Sequence, residues 1–511
     1  MSTAAASAVA PDEKGGMFAH FGRDFTASIV VFLVAMPLCM GIAIASGVPA
    51  EKGLITGIIG GIVVGMFAGS PLQVSGPAAG LAVIVFDFVA NNGITALGPM
   101  LVLAGVLQFI AGWMKLGAFF RSISPAVVHG MLAGIGALIV ISQFHILFDA
   151  TPLSNGVANL AAMPARLLGL SPFDLNQAEM ALGIGLLTIG IMVGWEKFKP
   201  AQMGLLPGAL LGVVGATLAA MALGLDITRV NVPDSIFGAV TTPDESFLGL
   251  LFSPTIIIAA IAVAFIASAE TLLSAAAVDR MHDGVRTNYD KELSAQGVGN
   301  FLCGIAGALP MTGVIVRSSA NVQAGARTRL STIIHGIWIL GFVSLLPFVL
   351  REIPMAALGG VLVVTGWKLV SLKHVRHLYS SYGALPAVIW TATFVLVVTV
   401  DLLTGVLVGL ALTLLELIPH RRSLKLNVEE NDEGAERDVH LSGSATFISL
   451  TRLTRRLESI PGDRPVRVNL DHVRGFDHTS AEQFKEWVAR RRKLGHPVEL
   501  TGPGHLVDRF S

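Results

Sequence analysis

The sequence predicts an α-helical polytopic membrane protein of 14 apolar segments, arranged as two inverted halves of seven, followed by a small cytoplasmic α/β domain. Three observations predict it. The 511 residues are 53% hydrophobic and 14% charged, whereas soluble chains carry about a quarter charged residues, so the long apolar runs call for a lipid bilayer. Lysines and arginines between the runs gather on alternate sides, as cytoplasmic and outer loops do. Two of the runs, the third and the tenth, are interrupted in the same way, and they lie seven apart.

The elements follow in order. Residues 1–22, opening "MSTAAASAVAPDEKGG", are small and polar and lack the basic-then-apolar layout of a cleaved signal; they are expected to form a disordered cytoplasmic tail. The membrane domain is expected over 23–420, with segments at about 24–46, 50–69, 72–90, 96–114, 122–142, 178–195, 203–223, 253–279, 292–309, 312–325, 330–350, 354–370, 384–400 and 402–418. Several are shorter than the roughly 20 residues a straight spanning helix needs. Placing both termini inside puts Lys115, Lys197, Arg280, Arg327 and Lys373 in cytoplasmic loops and leaves few cations, among them Lys52 and Arg229, outside. Residues 421–436, including "NVEENDEGAE", are expected to be an acidic linker, and 437–511 a short α/β domain. In that domain 466–470 alternate as a strand, and a helix follows Asp477, with Thr479 and Ser480 near its start and a basic last turn that suits its dipole.

Composition excludes several classes. Lys and Arg number 35, equal to Asp and Glu, so no charge excess points to nucleic acid. No Walker motif or nucleophile elbow appears, and an enzyme is not expected. No metal cluster or cofactor motif is present beyond a candidate Na+ or H+ site. The two cysteines, Cys39 and Cys303, lie in apolar segments and are expected as small core residues.

The interrupted segments carry the chemistry. "SPLQVSGPAAGLAVIVFDF" starts at Ser70 and "LPMTGVIVRSSANVQAG" at Leu309. Each has an extended start, a break, and a stretch able to form a short helix. Half-helices leave unpaired N–H groups and a positive dipole end at their first turn, and two such ends face to face trap an anion. Arg317 follows the second break. An arginine at the bilayer centre costs at least about 2.5 kcal/mol unless compensated. A bound anion would compensate it; so would an ion pair with Glu270, the carboxylate deep in segment eight. Ser274 lies one turn from Glu270 on the same face. The two could hold a sodium ion together with carbonyls of the broken tenth segment, or Glu270 could carry a proton.

At this point the chain resembles the SulP family of anion transporters, which includes the vertebrate anion exchangers and prestin. The resemblance rests on "VAMPLCMGIAIASGVP", "GSPLQVSGPAAGL", "SPAVVHGMLAGIG" and "ELSAQGVGNFLCGIAGALPMTGVIVRSSANVQAGARTRLS". The tail resembles a STAS domain through "GFDHTSAEQF". The resemblance implies a uracil-permease-like fold with core and gate subdomains in the cytoplasmic membrane, a homodimer, and a site lined by segments one, three, eight and ten. It implies that Val316, Arg317 and Ser318 form one anion-binding turn, that Ser75, Gly76, Pro77 and Ala78 form the opposing one, and that Cys39 lines the site from segment one. It places Glu270 at the acidic position of bacterial members and Asp477, Thr479 and Ser480 at a regulatory loop open to a cytoplasmic partner. Leu38 and Ala78 replace polar residues found in other members, which leaves the substrate open among sulfate, bicarbonate, chloride, oxalate and C4-dicarboxylates. A nucleobase permease of this fold and a non-transporting membrane sensor are the rival readings. Arg317 in place of a second carboxylate speaks against the first, and intact broken helices against the second.

Overall fold

The computed structural model describes residues 16–510 apart from 122, 154, 170–175, 201–202, 242, 244, 283, 416–425, 432–435, 462–463 and 494. Most of the predicted N-terminal tail and part of the linker lie outside these residues. Each of the predicted apolar segments is found. They are α1 (Phe21–Ala45), α2 (Ala50–Ile59, prolonged to Phe67), a broken third segment of β1 (Ser75–Pro77) and α3 (Ala82–Asn92), α4 (Leu97–Trp113), α5 (Pro125–Leu147), α6 (Gln177–Phe198) and α7 (Gly208–Ala222). The second half repeats the plan with α8 (Pro254–Met281), α9 (Tyr289–Ile305), a broken segment of β2 (Met311–Gly313) and α10 (Ile315–Gln323), α11 (Leu330–Leu345), α12 (Met355–Leu369), α13 (Ala384–Thr399) and α14 (Leu402–Thr413). Local chemistry sets several starts: Asn176, Asn288 and Asp401 accept backbone N–H bonds as N-caps of α6, α9 and α14.

The described chain falls into two compact units, one holding the chain up to Gly117 with Ile135–Val370, the other Ala118–Gly134 with Ser371–Ser511. In the first, packing shows the inverted repeat. α4 packs on α9 and α2 on α11, and each pair becomes the other on shifting by seven segments. α1 packs on α10, and α8 on the turn that opens α3, related in the same way. The β1–β2 pair maps onto itself. A π turn at Gly60–Val64 in α2 packs against β1.

The second unit contains the α13–α14 hairpin and the C-terminal α/β region. Its sheet runs β3 (Leu426–Asn431), β4 (Arg437–Ala445), β5 (Val466–Phe476) and β6 (Val498–Thr501), in that order. β3 pairs antiparallel with β4, and β4, β5 and β6 are parallel. α15 (Phe447–Ser459), α16 (His478–Lys493) and α17 (Gly504–Phe510) complete it. Val439, Val468, Leu470, Phe484 and Phe510 are buried in one core. One expectation is corrected here. Part of the expected acidic linker is a strand: Leu426 is buried and Val428 packs on the core, while Asn427 between them and Glu429, Glu430 and Asn431 after them are exposed, so an edge strand reads by composition as a polar run.

Candidate functional site

The two breaks are built against each other. β1 and β2 pair antiparallel, with Ser75 opposite Gly313, Gly76 opposite Thr312 and Pro77 opposite Met311. Non-helical backbone at membrane depth needs partners inside the protein. Here Val314 N–H donates to the Val74 carbonyl at 2.9 Å and Ala78 N–H to the Pro310 carbonyl at 3.3 Å. Side chains supply the rest. Gln73 Nε2 donates to the Thr271 carbonyl at 3.0 Å, Thr271 Oγ1 accepts from Gly313 N–H at 3.2 Å, and Asn321 Nδ2 donates to the Leu72 carbonyl at 3.0 Å.

Alternation along the strands gives this ribbon two faces. One looks to α9: Ser75 Oγ accepts from Gln296 Nε2 at 2.5 Å. The other bears Gly76 and Thr312. The Arg317 guanidinium fills the space a Cβ on Gly76 would need. Thr312 is fully buried, its hydroxyl has no hydrogen-bond partner, and the Glu270 carboxyl faces it. Glu270 also packs on Gly80, where a Cβ would stand 2.6 Å from Oε2. That oxygen is buried without a hydrogen-bond partner. Ser274 is buried one turn along α8.

Arg317 stands in the first turn of α10, whose N-cap is Val314. The amides of Ile315, Val316 and Arg317 therefore have no intrahelical acceptor, and the dipole's positive end lies with them. Arg317 is 0% exposed, and none of Nε, Nη1 and Nη2 has a hydrogen-bond partner. The Cys39 thiol of α1 lies beside it. Glu270 forms no ion pair with it, so the structural-pair alternative is not what the geometry contains. A buried guanidinium with three idle nitrogens at a half-helix start can receive an anion of several oxygens.

Other predicted residues are placed differently. Ser75 turns its side chain away from Arg317. Ser318 is occupied: its hydroxyl donates to the Val314 carbonyl at 2.7 Å and accepts from Val74 N–H at 2.9 Å, and its amide donates to Val314 at 3.0 Å. The Ala78 amide is likewise engaged, and Val316 is 39% exposed. Cys39 and Cys303 are buried and form no disulfide. Sequence reasoning missed Thr312, since strand register decides its face. It also missed Glu292, a fully buried carboxylate, which accepts from Ser70 N–H at 2.9 Å and Gln296 Nε2 at 3.0 Å. The available signal was Glu292, Gln296 and Asn300 spaced four apart on one helix face. In the α/β region Asp477 accepts from Phe447 N–H at 2.5 Å and Ser480 N–H at 2.8 Å, capping α16 and tying it to α15. Thr479 and Ser480 are 1% and 0% exposed.

Comparison with known proteins agrees with this architecture. The profile of the sulfate permease family matches residues 21–393. The putative sulfate transporter YvdB of Bacillus subtilis is 31% identical over 406 residues, 78% of this chain and 74% of its own. The bicarbonate transporter BicA of a Picosynechococcus strain is 27% identical over 439 residues, 83% of this chain and 75% of its own. Among solved structures, the transmembrane domain of a cyanobacterial BicA matches with TM-score 0.65 at 24% identity, covering 77% of this chain and 97% of that one. The murine anion transporter Slc26a9 in its inward-facing state matches with TM-score 0.67 at 15% identity, covering 97% and 88%. With its paired broken segments, its repeat and this profile match, the chain belongs to the sulfate permease (SulP) family of multi-pass membrane transporters.

Proposed function

We propose that this protein is a secondary active transporter of a small inorganic oxyanion, sulfate or bicarbonate, driven by a cation gradient that acts at Glu270. The observation that carries the reading is the fully buried Arg317 with three unpartnered guanidinium nitrogens at the start of α10. The anion sits between the first turns of α10 and α3, against the guanidinium that packs over Gly76 and near Cys39, with backbone amides and the guanidinium as donors. The coupling ion, Na+ or H+, binds at Glu270, where a buried carboxylate oxygen has no partner of its own. Relatives named for sulfate and for bicarbonate transport support these two substrates.

Uptake of labelled sulfate and bicarbonate into proteoliposomes, under an imposed sodium or pH gradient, tests the proposal. Concentrative uptake of either anion under one gradient is expected. Uptake of a labelled C4-dicarboxylate or nucleobase in place of both would overturn the substrate class, and no uptake of any solute would favour a sensor.

A further inference from the structure

We propose that Thr312 is a binding residue that links occupancy at Glu270 to anion affinity at Arg317. The inference rests on the function proposed above and deepens it. Thr312 pairs across the ribbon with Gly76, so its side chain leaves the same face on which Arg317 packs over Gly76. It is 0% exposed, and its Oγ1 has no hydrogen-bond partner. The Glu270 carboxyl faces that oxygen. Arg317 and Glu270 do not pair with each other, and the buried Thr312 hydroxyl lies on the ribbon face that bears Arg317.

A hydroxyl has one proton to give and two lone pairs to receive with. When Glu270 is ionised and empty, its carboxylate accepts a hydrogen bond from the Thr312 hydroxyl. When Glu270 carries a proton, its O–H donates a hydrogen bond to Thr312 Oγ1; when it holds sodium, Oγ1 is a ligand to the ion. In both cases a lone pair is engaged on the Glu270 side, and the Thr312 O–H turns toward the Arg317 side. A bound cation thus adds one donor to the anion site. Linkage makes the effect reciprocal: a bound anion that accepts a hydrogen bond from Thr312 orients the oxygen to receive the cation. The bland reading is a buried β-branched residue that merely fills a strand position. The unpartnered hydroxyl argues against it, because a buried polar atom without a partner costs free energy that valine would avoid.

The experiment titrates sulfate, and separately bicarbonate, onto the purified full chain at fixed pH with and without sodium gluconate, and again at two pH values without sodium. In the wild type the cation should strengthen anion binding, within the roughly 5- to 150-fold range usual for coupled sites. Thr312→Val should bring that ratio to about one, by lowering anion affinity in the presence of the cation toward its cation-free value. Thr312→Ser should keep the ratio, and Thr312→Cys serves as a second variant of similar shape should valine fail to fold. Wild-type coupling in Thr312→Val, or its loss in Thr312→Ser as well, overturns the proposal. Glu270→Gln separates the two levels: loss of the cation effect there with its retention in Thr312→Val leaves Glu270 coupling intact and removes only Thr312. A wild type without any cation effect removes both.

Discussion

The Arg317 guanidinium occupies the space that a Cβ on Gly76 would need. One glycine in the broken third segment therefore shapes the seat of a cation in the broken tenth. Gly80, four residues on, does the same for Glu270. The string "SGPAAG" is small at both points because two charged side chains from the other half lie against it.

Alanine at either glycine should separate the two functions. Gly76→Ala should displace the guanidinium and weaken anion binding at least tenfold with cation dependence retained, since about 1.4 kcal/mol is a factor of ten. Gly80→Ala should disturb Glu270 and reduce gradient-driven accumulation while anion binding persists. Equilibrium binding and uptake on the two variants check this; equal loss of both activities in both variants would contradict it.

Glu270→Gln should abolish accumulation against a gradient, because the amide neither titrates nor offers a carboxylate to sodium. Ser274→Ala then tells the coupling ions apart. A raised sodium requirement in uptake assays is expected if sodium is the coupling ion, and little change if the proton is. Undiminished accumulation in folded Glu270→Gln removes that residue from the mechanism.

Topology is open to a direct check. Both termini are expected in the cytoplasm, with Lys373 inside and Arg229 outside. Arg229 pairs with Glu352 in an outer loop of that scheme. In a background lacking Cys39 and Cys303, a cysteine at 229 should react with an impermeant reagent added to intact cells and one at 373 should not. The reverse pattern would invert the topology.

Asp477 should hold the α/β region together. Asp477→Ala removes the cap of α16 and a bond to α15, at a cost of about 0.5–2 kcal/mol by cap energetics, readable as a lower Tm. Burial raises the Asp477 carboxyl above its ordinary 3.8. With the folded value above the unfolded one, its contribution to stability is fully present below the unfolded value and is lost as pH rises through the folded one. Asp477→Asn should flatten that part of the Tm–pH curve.

Much of this was legible in the sequence, and the limit is physical. Apolar runs place the helices, and two interrupted runs seven apart reveal the repeat, because hydrophobicity and backbone breaks are local properties. Arg317 and Glu270 stand out because charge is rare in such runs. Ser75 and Thr312 show where the reading stops. Ser75 is the polar residue beside the Gly–Pro break, yet it turns to Gln296 of α9. Thr312 lies beyond the notice of composition, yet it faces the site. A one-residue change of register would exchange their faces, and register is set by pairing between segments more than 230 residues apart in the chain. The strand at Leu426–Asn431 is a similar case, where a half-buried edge strand carries the composition of a linker.

The central claim is that Arg317 helps hold the transported anion, and anion binding to Arg317→Ala tests it most directly. Charge-assisted hydrogen bonds contribute about 1.5–3 kcal/mol. Their loss should weaken sulfate or bicarbonate binding roughly tenfold to a hundredfold, while half-helix amides preserve residual affinity and Tm stays near wild type. Arg317→Lys should recover part of the affinity with altered anion preference, because lysine lacks the planar fork. Full affinity in a folded Arg317→Ala protein, or restoration of both stability and affinity only when Glu270 is neutralised as well, would contradict the account.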